Sequence, residues 1–163
     1  MLTEWLTALE AVPFVAELRN SRWTYAAVNA SHIVGIALLF GAIVPLDLRL
    51  VGCWRSVPIR TLARILVPVA ACGLALAIAA GLMLFATRAT EYATLTLFWV
   101  KLALIACGVV NALLLRTARQ WEASQAATAT DTEPPPRLRA AGALSIALWL
   151  SVIVCGRMLA FVD

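Results

Sequence analysis

At 163 residues the chain has the length of one domain, and 63% of its residues are hydrophobic against 13% charged, where soluble domains carry roughly 25% charged residues. A fold of this size cannot hide so much apolar area from water, so a purely water-soluble domain is excluded and lipid must be the solvent for much of the chain. The net charge of +4 does not mark a nucleic-acid binder, because the basic residues gather in two loops in the pattern that orients membrane spans.

Residues 3–19 interleave Trp5, Leu6, Leu9, Val12 and Phe14 with Glu4, Glu10, Glu17 and Arg19 and are interrupted by Pro13. This pattern predicts an amphipathic helix lying in the membrane interface, with Trp5 at headgroup depth. The first charge is Glu4, so the basic start of a secretory signal is missing and the segment is expected to be retained.

About 20 residues cross a bilayer as a helix, and the chain holds material for four such spans. The first is expected at 23–46. It carries Asn29, Ser31 and His32 and runs into Pro45-Leu46-Asp47-Leu48-Arg49, where Asp47 and Arg49 read as interfacial anchors. The second, 62–87, has no charge after Arg64 and contains Pro68, a kink that neighbouring helices can absorb. The third, 95–115, contains Lys101 and Asn111. A mobile linker is expected at 117–137, where a Thr- and Ala-rich stretch precedes Pro134-Pro135-Pro136. The fourth span, 138–162, contains Trp149 and Arg157.

Arg49, Arg55, Arg60 and Arg64 surround the first loop, and Arg116, Arg119, Arg137 and Arg139 the third, against Arg19, Arg22 and Arg88 on the other side. That bias places both richer loops in the cytoplasm and both termini in the periplasm of a bacterial inner membrane. Gly35, Gly41, Gly73, Gly81, Gly108, Gly142 and Gly156 allow spans to approach closely. Cys53, Cys72, Cys107 and Cys155 form no CxxC pair and read as small packing residues. The expected architecture is all-α: an integral membrane four-helix bundle with an N-terminal interfacial amphipathic helix, forming a single domain over residues 1–163.

Ionisable groups inside a span are costly and usually face a bundle interior. His32 lies about 13 Å below the outer end of the first span, and Lys101 and Arg157 also fall in the outer half. Tyr25, Asn29 and His32 share a face by their spacings of four and three. Met83 and Met158 fall in the same layer, and a histidine with a thioether partner suits haem iron or Cu(I). Trp99 and Trp149 could flank a flat ring, with Lys101 or Arg157 pairing with its propionates. The plainer readings are a helix–helix hydrogen bond for His32, snorkelling for Lys101 and Arg157, and packing for the methionines.

His32, Gly41 and Arg49 along the first span, and Phe98-Trp99-Val100-Lys101-Leu102 in the third, resemble stretches of the HemJ-type protoporphyrinogen oxidase family. Similar stretches occur in copper-resistance CopD-like membrane domains, and the chain as a whole resembles an uncharacterised bacterial four-span family. The HemJ-type resemblance covers about two of the four spans. It implies haem b and quinone-linked oxidation, with His32 as ligand and Lys101 and Arg49 as functional charges. The chain departs from that pattern in having one histidine, which rules out bis-histidine ligation within one chain.

Three functions compete at this point. The first is an accessory or assembly subunit, its polar layer meeting a membrane-protein partner, a second copy or a lipid headgroup. The second is a haem b redox protein with His32 as axial ligand. The third is copper or small-solute transport. No GxSxG or HExxH pattern supports hydrolysis, and the acidic residues are placed in loops or at span ends. Whether the chain is an enzyme stays open at this level.

Overall fold

The computed structural model describes residues 1–118, 121, 133–159 and 161. The described residues form helices and connecting turns with no strand: α1 (Leu2–Glu10), α2 (Pro13–Asn20), α3 (Arg22–Val51), α4 (Ile59–Thr87), α5 (Ala89–Thr94), α6 (Thr96–Thr117) and α7 (Pro136–Met158). Four of them, α3, α4, α6 and α7, are long and apolar enough to cross a membrane, so the chain is a multi-pass membrane protein. Most of the expected linker, 119–120 and 122–132, lies outside the described residues.

The N-terminal segment is two helices rather than one. Proline lacks an N–H and pushes the residue before it out of the helical region, and Val12 accordingly takes ψ 128° with Pro13 opening α2. The bend lets α2 tuck its Val15 and Leu18 inward, where Leu18 is only 1% exposed, against α3 and α4. Trp5 stays exposed.

The first two spans are longer than their apolar cores suggested. α3 continues past Pro45 because Leu46 and Leu50 seat in a cluster with Ile59, Ala63, Trp121 and Leu138. It stops at Gly52, whose φ of 121° is a backbone region that side chains disfavour. α4 already begins at Ile59, and α7 at Pro136, two residues before the expected start.

α3 is the hub of the assembly. It packs along most of α4 and also on α7, and α7 in turn packs on α6, while α4 and α6 share no comparable interface. The α3–α4 crossing rests on two glycines. A Cβ on Gly35 would stand 2.6 Å from the Ala77 nitrogen, and one on Gly73 would stand 2.5 Å from the Leu39 nitrogen. Without side chains there, backbones meet directly and dispersion contacts accumulate, which is the main source of helix association in lipid. Gly142 does the same for α7, where a Cβ would meet the Asp47 carbonyl oxygen at 2.9 Å.

Candidate functional site

The α3–α4 crossing also sets the chemistry of His32. One turn before Gly35, its imidazole reaches across to α4, and Nδ1 donates to the Ala77 carbonyl at 2.8 Å. The acceptor is a carbonyl, so the proton must sit on Nδ1 and the Nε2 lone pair is left free. The Cε1 edge of the ring meets Gly81, where a Cβ would come within 3.0 Å of Cε1 and 3.3 Å of Nδ1. Gly81 is therefore space for the imidazole as well as a packing glycine.

Lys101 enters the same layer from α6. Its Cε and Nζ lie over Gly156 of α7, each 3.6 Å from where a Cβ would be, and its charge is within electrostatic reach of His32 and of Cys155. The structure thus brings His32 and Lys101 into one region, carried by glycines on the facing helices.

The other residues of the expected layer are placed differently. Tyr25 is partly exposed and within electrostatic reach of Tyr92 on α5. Asn29 is exposed. Arg157 stacks its guanidinium on Phe161 at 4.7 Å and points outward. Met83 and Met158 each lie two residues beyond the glycine that faces the polar layer, which turns them about 160° away around the helix, and Met158 is exposed. Trp99 is exposed, its indole N–H bound to the Ala93 carbonyl at 3.0 Å. Trp149 is buried against Gly108, about 13 Å further along α6 than Trp99. The two tryptophans do not face one another across a slot.

A His–Met haem or a Cu(I) site in this layer would pair the free Nε2 of His32 with a thioether as second ligand. The residues as placed do not fit such a group: both thioethers are turned away, and the tryptophans stand at different depths. Among the described residues no set of three or more His, Cys, Asp or Glu side chains converges on one point.

Two residues carry more than their interfacial reading. Asp47 is not an anchor in the headgroups: it is 4% exposed, wedged between α3 and α7 with the buried Ser145 hydroxyl beside it, and its Oδ2 has no partner. Arg49 is 3% exposed. Its Nε donates to the Val57 carbonyl at 2.6 Å and its Nη2 to the Arg55 carbonyl at 3.2 Å, tying down the α3–α4 loop. Two positions apart, the side chains leave α3 about 160° apart, so they do not pair with each other. Leucines at 46, 48 and 50 are the sequence sign that this stretch is packed rather than dissolved in the interface.

At the opposite end the N-terminal helices are fastened to α5. Glu10 accepts from the Thr90 N–H and hydroxyl, both at 2.7 Å, with Arg19 3.9 Å away. These donors hold its carboxyl below the usual carboxylate range, the Thr90 N–H most of all. Above them Phe85, Tyr92 and Phe98 form an aromatic cluster, with Phe85 and Phe98 stacked at 5.1 Å.

Comparison with protein-family models, with characterised proteins and with solved structures gave no match. The resemblance to HemJ-type and CopD-like proteins gains no support from them.

Proposed function

We propose that the chain is a small accessory or assembly subunit of a larger inner-membrane complex, seating a partner span, from another protein or a second copy, on the open side of α3. The observation that carries this reading is the composition of that side. Ala26, Ala30, Ala37 and Gly41 are all exposed around Ile33 and Val34, as is Asn29 at their edge, and a Cβ on Gly41 would meet nothing within 4 Å. Small residues let another backbone approach closely, and an amide supplies the cross-helix hydrogen bond that lipid cannot. Asn29 lies about 10 Å inside the span. Ser31 satisfies its own hydroxyl on the Ala27 carbonyl at 2.9 Å, whereas no hydrogen bond among the described residues engages the Asn29 amide.

In this reading His32 and Lys101 are internal fasteners that hold α3, α4, α6 and α7 in register beside the docking face. Both arginine-rich loops face the cytoplasm, by the bias in basic residues. The test is native mass measurement of the protein drawn from its own membrane in lipid-preserving polymer discs. The wild type is expected in an assembly heavier than its 17.5 kDa chain, and Asn29→Leu is expected to shift it toward the single chain. A wild type found only as single chains at native expression would overturn the reading.

A further inference from the structure

The α3–α4 loop end carries a cavity that none of the foregoing uses. It measures about 300 Å³ and opens between α4 and the end of α6, a volume at the small end of ligand pockets. Three arginines line it: Arg60 and Arg64 from the first turns of α4, and Arg116 from the last turn of α6. Trp121, Ala63, Val67 and Pro68 supply the rest of the wall.

The lining is ordered by depth. Arg60 and Arg64 stand one turn apart on one face of α4, and Val67 and Pro68 continue that face a turn deeper. From Arg60 to Pro68 the face descends about 12 Å, from the level of headgroups into the level of acyl chains. Cationic groups above and an apolar floor below match a molecule with an anionic head and a hydrocarbon tail. A free phosphate would use only the upper half.

The neighbouring contacts favour the same occupant. α4 and α6, which both line the cavity, share no close interface, so contact between these two helices does not close it against lipid. The ion pairs among the described side chains engage Arg19, Arg55, Arg88 and Arg139, and none of them engages the three cavity arginines. Like charges one helical turn apart repel, and an anion between them relieves that repulsion.

We infer that this cavity is a binding site for an anionic phospholipid of the leaflet on the α3–α4 loop side, its phosphate held by Arg60, Arg64 and Arg116 and an acyl chain laid along Val67 and Pro68 between α4 and α6. Basic pockets between spans hold anionic headgroups in this way.

The test is native mass spectrometry of the purified full chain titrated with phosphatidylglycerol, cardiolipin or phosphatidylcholine, with and without excess inorganic phosphate. Each of Arg60→Gln, Arg64→Gln and Arg116→Gln is expected to weaken retention of the anionic lipids about five-fold. Arg22→Gln, at the other membrane face, should leave it unchanged. Val67→Trp keeps every charge but fills the tail channel, and it too should lower retention. Phosphate alone should neither bind nor displace the lipid. Equal retention of phosphatidylcholine, full displacement by phosphate, or arginine variants that retain lipid like the wild type would each overturn the inference.

Discussion

Gly35→Ala is the sharpest perturbation of this fold. The new Cβ would lie 2.6 Å from the Ala77 nitrogen and 2.9 Å from both the Ala77 Cα and the Gly73 carbonyl oxygen, where ordinary contact begins near 3.4 Å. All three atoms are backbone, so no rotamer change makes room, and α3 and α4 must part by about 0.8 Å, the difference between those two distances. Forcing an extra methyl into a packed contact typically costs about 1–3 kcal/mol. Separation also stretches the His32–Ala77 hydrogen bond, worth about 0.6 kcal/mol on average in membranes. The expected loss is therefore about 2–4 kcal/mol, read as the unfolding free energy in bicelles by steric trapping. Gly41→Ala supplies the internal comparison. Nothing lies within 4 Å of its Cβ, so the isolated chain should change by less than about 0.5 kcal/mol. Because both changes act on the same bond, Gly35→Ala combined with His32→Ala should cost less than the sum of the two. A Gly35→Ala protein as stable as the wild type, or one no worse than Gly41→Ala, would refute the close-crossing argument.

Further outcomes follow from other contacts. Arg49→Met should destabilise by about 2–3 kcal/mol, because two backbone carbonyls of the α3–α4 loop lose charged donors; unchanged proteolysis of residues 52–58 would show the loop is held otherwise. Glu10 has a carboxyl held below its ordinary value of 4.5 by the Thr90 N–H first, so its contribution is complete above that pH and is lost as pH falls through the lowered folded value. Thermal melts from pH 7 to pH 3 should therefore fall more steeply for the wild type than for Glu10→Gln, and parallel curves would contradict the contact. His32→Ala should lower thermal stability without altering the visible spectrum, since neither thioether turns toward His32 and the two tryptophans do not flank a ring beside it. A Soret band in the wild type that is lost in His32→Ala would overturn that placement.

Much of this fold was legible along the chain axis and little of it around the axis. Hydropathy and the turn residues located all four spans, because lipid demands long uninterrupted apolar helices whatever they pack against. Depth arithmetic put His32 and Lys101 in one layer for the same reason. Azimuth was hidden. Met83 and Met158 lie at a suitable depth, yet each is two residues from the glycine that faces the site, a distinction that needs the partner helix. Asp47 and Arg49 read as headgroup anchors because they follow an apolar stretch, whereas the leucines at 46 and 50 carry that turn into the core. Pro13 was visible as an interruption, but the docking of Leu18 against α3 and α4 depends on contacts far away in sequence. The arginine-lined cavity is not visible in the sequence, because Arg60, Arg64 and Arg116 flank two different loops and come together only in the fold.

The accessory-subunit reading is tested most directly by photo-crosslinking in the native membrane. A crosslinker at Ala30, on the open face of α3, should yield discrete protein adducts, and one at Leu113, on the lipid-exposed side of α6, should not. Asn29→Leu should diminish the Ala30 adducts. Lipid adducts alone at Ala30, or the same protein adducts from Leu113, would contradict a partner span on α3.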